Sequence, residues 1–397
     1  MRTMKFIGID IAAEVHVVAV VGDDGGVVIK ATPFHEDVDG YQKLFALLGG
    51  SEQALVVMEA TGHYWQNLFA ALTANGFAVA LINPLRTRRF AEEDLVRAKT
   101  DAIDALSLAR FGAQKRPPAT RLPDEATAEL RELVRLRDRY VQDLGDRVRQ
   151  LHRIVDLGFP EFTRHIKELE GALATTLLRQ YPTAAAFQKV SPRQLAKLVY
   201  DGHHRVGEEL ATALVQAAKV SVGRHHGAAY RLQAEHACDD IAVLKSRIKQ
   251  LERDIGGTID KHDIGALLLT IDGIGKTTAA RIIAELGDPS AFHSPAALAA
   301  YVGVTPGTSQ SGKRRPIRAP IGPVGHAQLR AKLWMPVLTA VRRNAWLKAF
   351  YDRLIARGKL PKVALVAAMR KLLAAIYSVA KNRRPFTPML SAAEATA

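Results

Sequence analysis

The sequence predicts an RNase H-like α/β domain at the N-terminus, a long helical coiled-coil arm, and a mostly α-helical C-terminal domain. Three observations predict this. The first 110 residues open with three consecutive β-patterned runs and then alternate helix and strand. Two heptad seams occupy the middle of the chain. The last third is patterned as helices and carries a net charge of +16, against +15 for the whole chain.

The β-rich runs fall at 5–12, 15–22 and 26–32, with Asp23-Asp24-Gly25-Gly26 as the turn before the third. A helix is expected at about 38–48, a strand at 54–58, a helix at 63–75 and a strand at 77–82. Asn83-Pro84 then breaks the chain ahead of the helical segment holding Asp101 and Asp104. Because no Gly-x-Gly-x-x-Gly follows the first strand, a dinucleotide-binding fold is disfavoured.

Four carboxylates stand out in this domain. Asp10 interrupts the apolar run Lys5-Phe6-Ile7-Gly8-Ile9-Asp10-Ile11, and Glu59 ends Ala54-Leu55-Val56-Val57-Met58-Glu59. Asp101 and Asp104, three apart, share one helix face. A charge in or closing a buried strand is costly unless something pairs with it. Two divalent cations roughly 4 Å apart would pair with all four and support phosphoryl transfer. Oxygen ligands of this kind suit Mg²⁺, with Mn²⁺ as a substitute.

Pro117-Pro118 and Pro123 mark a linker. Beyond it Leu130, Val134, Val141, Leu144, Val148, Leu151 and Val155 recur at heptad spacing, with Arg137 filling one position, and a second seam runs Ile241, Leu244, Ile248, Leu251, Ile255. Residues 161–226 between them read as a small helical insertion punctuated by Pro160, Pro182 and Pro192. The two long helices could pair antiparallel within one chain or form a dimer arm. The expected domains are therefore 1–115, 124–262 and 263–397.

In the third domain, Gly273-Ile274-Gly275-Lys276-Thr277 is not a P-loop, since Thr270 occupies the position where that motif needs glycine. A hydrophobic helix, a Gly-Ile-Gly turn and a helix at 276–286 instead resemble a helix-hairpin-helix, and a plain helical hairpin fits equally well. In the former, backbone N–H groups near Gly273, Gly275, Lys276 and Thr277 would receive a nucleic-acid phosphate without reading sequence. Further on, the polar loop from Gly303 to Arg315 leads into basic residues. Its serines suit turn formation, and a serine attacking a phosphodiester would need cations such as Lys313, Arg314, Arg315 and Arg318. The C-terminal helices, at about 329–357 and 361–380, alternate apolar with basic residues in a way that suits a nucleic-acid backbone.

Residues 1–110 carry 10 Lys+Arg against 14 Asp+Glu, residues 111–289 carry 27 against 24, and residues 290–397 carry 18 against 2. A basic last third beside a carboxylate-rich first third suggests a phosphate grip attached to a cation-dependent site. One cysteine, Cys238, leaves no internal disulfide and no multi-cysteine zinc site. No apolar run approaches the ~20 residues of a membrane span. Asp10 and Glu14 fall where the apolar segment of a signal peptide would lie, so a cytoplasmic location is expected. His63 and the pairs His203-His204 and His225-His226 lack ligand-spaced partners and read as surface or packing residues. Tyr64 and Trp65 suit a core or site wall. Arg86, Arg88 and Arg89 suit either phosphate contact or a solvated face.

Taken together, Gly8-Ile9-Asp10-Ile11-Ala12, Met58-Glu59-Ala60-Thr61-Gly62 with Tyr64, Asn83-Pro84 and Lys99-Thr100-Asp101-Ala102-Ile103-Asp104-Ala105-Leu106 form a specific pattern. So do the Gly-Ile-Gly hairpin, Tyr301-Val302-Gly303-Val304-Thr305-Pro306, Ser311-Gly312 and Leu329-Arg330. The joint pattern resembles the DEDD transposases of one insertion-sequence family, which includes pilin-gene inversion recombinases. The acid quartet alone would fit a hydrolytic Holliday-junction resolvase as well.

The resemblance implies a RuvC-like N-terminal domain, a coiled-coil arm and a C-terminal transposase domain with an essential serine. Counting from Pro306, the serine directly before a glycine is Ser311; Ser309, followed by Gln310, is the weaker candidate. It further implies movement of a circular element between DNA sites in a prokaryotic nucleoid, through a phosphoserine intermediate, by a dimer or tetramer. Several such proteins are directed by a structured noncoding RNA that pairs with donor and target DNA. The chain departs from the family where Pro316, Pro320 and Pro323 interrupt an often Gly-rich stretch, and its 161–226 insertion aligns on no motif.

Overall fold

The computed structural model describes residues 4–93, 100–309, 317–318, 321–322 and 324–388. The chain divides into two compact units, residues 1–122 and 123–397.

The first unit is built on strands β1 (Lys5–Asp10), β2 (Val15–Val21), β3 (Val27–His35), β4 (Ala54–Glu59) and β5 (Ala78–Ile82). They form one mixed sheet in the order β3-β2-β1-β4-β5. The hairpin pairs are antiparallel, while β1–β4 and β4–β5 are parallel. Helices α1 (Val38–Leu48), α2 (Trp65–Ala74), α3 (Pro84–Glu93) and α4 (Asp101–Lys115) cover it. Residues alternate between faces along each strand. Ile7, Ile9, Val56 and Met58 pack with Leu44, Leu48, Leu68 and Leu72 of α1 and α2. Phe6, Leu55 and Val57 point the other way, into a core shared with Leu108, Ala109 and Phe111 of α4.

This mixed sheet with helices on both faces fits the RNase H-like expectation. Two details differ from the sequence reading. Asp10 closes β1 instead of interrupting it, because the ladder to β2 ends at the Asp10–Val17 pair. Asn83-Pro84 does not merely break the chain: Pro84 opens α3, where its missing N–H is no loss.

The second unit begins with α5 (Glu125–Gly158), whose first turn is capped by Asp124 accepting from the Thr127 N–H at 2.7 Å. Short helices α6 (Phe162–His165), α7 (Ala172–Gln180), α8 (Ala184–Phe187), α9 (Pro192–Ala196) and α10 (Glu208–Lys219) follow, and then α11 (Ala228–Lys261). The ion pairs Arg137–Glu252 at 2.6 Å and Arg147–Asp240 at 2.9 Å show that α5 and α11 run antiparallel within one chain. All five residues of the second seam are buried. The insertion packs with the adjoining ends of α5 and α11 in a second core, in which Phe159, Phe162 and Phe187 are fully buried.

The remainder comprises α12 (Asp263–Leu268), α13 (Lys276–Leu286), α14 (Pro295–Val302), the two-residue strands β6 (Thr308–Ser309) and β7 (Ile317–Arg318), α15 (Ala327–Lys332), α16 (Trp334–Arg343), α17 (Ala345–Ala356) and α18 (Pro361–Asn382). The helix expected across 329–357 is thus three helices. Pro336 cannot donate to the carbonyl four residues back, and the buried Asn344 stops α16 and caps α17 through the Leu347 N–H. Helix α18 is long and apolar enough to span a membrane by composition. Arg370 and Lys371 interrupt that run in the sequence. In the fold its Leu372, Leu373, Ile376 and Val379 are buried in the core of the unit.

Candidate active site

The four carboxylates belong to three elements, β1, β4 and α4, whose placement follows from packing. Phe6, Gly8 and Asp10 share the α4-facing side of β1, as Leu55, Val57 and Glu59 share that side of β4. The parallel register Ile9–Met58 puts Asp10 and Glu59 side by side at the C-terminal edge of the sheet. Gly8 is what lets α4 come close: a Cβ there would lie 2.1 Å from the Ala105 carbonyl oxygen and 2.3 Å from the Ala109 nitrogen. Asp101 precedes Ala105 by one helical turn, and Asp104 is adjacent to it, so both sit at the α4 N-terminus over the strand ends. Thr100 caps that terminus by accepting from the Ile103 N–H at 3.3 Å. The partial positive charge of a helix N-terminus favours the acids gathered there.

The electrostatics agree with this convergence. Burial, then the charges of Asp104, Asp101 and Glu59 in that order, push Asp10 up from 3.8 to about 6. An acid whose proton affinity is raised by three neighbouring carboxylates marks a donor set suited to hard divalent cations. Among the described residues, no three acidic, imidazole or thiol groups are drawn in to coordination distance. The chemistry of the donors, four oxygen ligands, fits a hard divalent cation such as Mg²⁺ or Mn²⁺.

Around the acids, Thr61 approaches Glu59 through its hydroxyl at 3.5 Å, and Trp65 donates its indole N–H to the Gly62 carbonyl at 3.2 Å. Tyr64 is exposed and its ring meets that of His63. Arg86, Arg88 and Arg89 lie on the exposed side of α3, with Arg88 paired to Glu92 and Arg86 over the Phe111 ring.

In the second unit, Ser311, Lys313, Arg314 and Arg315 lie outside the described residues, while Ser309 and Arg318 are described by backbone alone. The antiparallel pairs Thr308–Arg318 and Ser309–Ile317 bracket the segment containing Ser311. Its base is clamped. Gly303 (φ +83°) and Gly325 (φ +109°) touch so closely that a Cβ on Gly325 would lie 2.5 Å from the Gly303 Cα. Arg330 donates to the carbonyls of Gly303 at 3.0 Å and Val324 at 3.3 Å, and the His326 N–H donates to Tyr301 O at 2.8 Å.

At the Gly-Ile-Gly turn, Gly273 packs against Ala340 of α16, which gives it a packing role. Gly275 starts α13 with open space beside it and no side-chain cap, Thr277 is half-buried, and Lys276 pairs with Asp260 at 2.5 Å.

Gly8 and Arg330 are positioning residues whose roles the sequence reading did not assign. A glycine inside an otherwise apolar strand signals close approach of another backbone and could have revealed the first. The buried His16 and its partner Glu36 carried no such signal.

A family model described as transposase, of DEDD type, matches residues 7–160, which contain all four acids. A second, the transposase IS116/IS110/IS902 family, matches residues 265–352, which contain Ser311. The chain is 30% identical to the pilin gene-inverting protein of Moraxella bovis over 83% of this chain and 81% of that protein. It is 26% identical to the 44.8 kDa protein of insertion element IS116 from Streptomyces clavuligerus over 96% of each. The transposase of insertion sequence element IS1111A from Coxiella burnetii is 23% identical over 89% of this chain and 84% of its own length. The chain therefore belongs to the DEDD-type insertion-sequence transposase and recombinase family that contains IS110, IS116 and the pilin-gene inverting proteins.

Proposed function

We propose that the protein is a DNA recombinase that cuts and rejoins strands through a serine-linked intermediate. The observation carrying this reading is the convergence of Asp10, Glu59, Asp101 and Asp104 on one sheet edge under the α4 N-terminus. These four would hold Mg²⁺ or Mn²⁺, which supplies charge stabilisation at a reacting phosphate.

Ser311 is the nucleophile of this reading. Its Oγ–P bond forms as a phosphodiester P–O bond breaks, and the serine proton is balanced by protonation of the departing deoxyribose oxygen. A hydroxyl of the partner strand then attacks the same phosphorus, a new phosphodiester forms, and the serine leaves with its proton restored. No water is consumed, so the energy of the bond is conserved. Lys313, Arg314, Arg315 and Arg318 follow the serine closely enough in sequence to offset charge on the phosphoryl oxygens. Arg330 ties Gly303 to Val324 on the two sides of the segment that carries the serine. The turn amides at Gly275, Lys276 and Thr277 are suited to a sequence-independent phosphate contact.

The partners of this reading are DNA and a structured noncoding RNA that selects the DNA sites, with two or four chains assembling the reaction. The net of 18 basic against 2 acidic residues over 290–397 supports a large nucleic-acid surface. The test is to incubate the purified protein and any copurifying RNA with supercoiled DNA bearing the sequences that flank its gene. Mg²⁺-dependent rejoined products are expected, and Asp10→Asn should abolish them. Simple hydrolytic nicking without rejoining would favour a junction-resolving nuclease instead.

A further inference from the structure

Opposite the carboxylate edge, on the other face of the sheet, lies a polar cluster that neither the metal-site reading nor the core requires. His16 is fully buried, and its Nε2 is 2.6 Å from Glu36 Oε2. The His16 Nδ1 accepts from the Ala12 N–H at 3.2 Å, so the ring proton resides on Nε2 and is donated to Glu36. Glu36 also accepts from the Tyr41 hydroxyl at 2.7 Å and from Asn67 Nδ2 at 3.2 Å. Its own N–H donates to the Glu14 carbonyl at 3.0 Å. Burial works against the Glu36 charge, but the hydrogen bonds from Tyr41, His16 and Asn67 outweigh it and hold the carboxyl below its ordinary range. Burial and the same carboxylate push the Tyr41 hydroxyl well up.

The identity of the tied segments matters. Ala12 and Glu14 belong to the turn that begins directly after Asp10. Asn67 belongs to α2, which the chain enters a few residues after Glu59. We infer that Glu36, with His16, Tyr41 and Asn67, is a positioning hub that fixes the chain leaving Asp10 relative to the chain leaving Glu59 and thereby sets the separation of these two carboxylates. This rests on the reading of the four acids as a divalent-metal site. A full set of donors makes the hub rigid, since an ionised carboxylate with three side-chain donors leaves little freedom to any of them. Partners outside the direct ligands commonly change metal affinity by about 10–100-fold.

The variants separate positioning from plain stability. Glu36→Ala removes the hub. Glu36→Gln keeps an oxygen for His16 and Tyr41, and Asn67 can turn its amide to accept from the new N–H group, so the geometry survives. Asn67→Ala cuts only the tie to α2, and its exposed side chain leaves the core intact. The measurement is Mn²⁺ binding to the purified full-length protein by calorimetry, with thermal melts alongside. E36A should bind Mn²⁺ at least about 10-fold more weakly, N67A several-fold more weakly, and E36Q close to wild type. Wild-type Mn²⁺ affinity in folded E36A, with D10N having lost binding, would overturn the hub. Should E36A not fold, unchanged affinity in N67A overturns it. Undiminished Mn²⁺ binding in D10N would sink the metal-site reading itself, and the hub with it.

Discussion

Substituting alanine for Gly8 tests how α4 holds Asp101 and Asp104 over the strand ends. The added Cβ would lie 2.1 Å from Ala105 O and 2.3 Å from Ala109 N, where ordinary contact begins near 3.4 Å. Both are backbone atoms in the body of α4, so no side-chain rearrangement relieves the clash, and the helix must retreat by more than an ångström. Overpacking of this kind costs about 1–3 kcal/mol. A displacement of about 1 Å in catalytic groups costs on the order of 100-fold in rate. Purified G8A should therefore melt several degrees lower and cleave DNA about 100-fold more slowly with Mg²⁺. Gly112→Ala is the control, because its Cβ meets the Val57 side chain at 2.8 Å near the far end of α4. It should lose stability with little loss of cleavage by the folded protein. Wild-type cleavage by G8A would refute the close α4–β1 approach as the basis of the site.

Two further predictions concern charge. Asp10 is raised from 3.8 to about 6, so the metal-free folded protein keeps a proton that the unfolded chain releases between those values. Its ionisation thus opposes folding above about pH 6, and Asp10→Asn should raise the melting temperature in chelator at pH 7, the gain fading as pH falls from 6 to 3.8. A lower melting temperature for D10N at pH 7 would contradict the crowding of the acids. In the second unit, Arg281 is 7% exposed and forms a two-pronged pair with Asp138. Asp138→Ala strands that guanidinium and should cost about 3–5 kcal/mol in denaturant unfolding; a loss below about 1 kcal/mol would show the cation finds another partner.

Much of the first unit was legible because its signals are local. Alternating apolar runs gave the strands, and an acid at the end of each of two such runs stood out against them. The face on which each acid lies follows from the two-residue period once the strand ends are known. The seams at 130–155 and 241–255 gave the long helices, but only tertiary ion pairs such as Arg137–Glu252 decide that they pair within the chain. The Glu36 hub was invisible for the opposite reason. Its four residues are spread over strand β2, the β3–α1 connection and two helices, and none has a spacing that periodicity can register. The three-way break at 329–357 depended on Asn344 being buried as a cap, which composition does not reveal.

We propose that the four acids and Ser311 serve one phosphoryl-transfer reaction. It is tested most directly by trapping protein–DNA adducts with Mg²⁺ and mapping the modified residue by mass spectrometry. A phosphoserine-linked fragment at Ser311 is predicted, absent in Ser311→Ala and absent in Asp10→Asn, with Mn²⁺ binding retained only in the former. Strand exchange that proceeds in Ser311→Ala, or an adduct mapped to another residue, would contradict it.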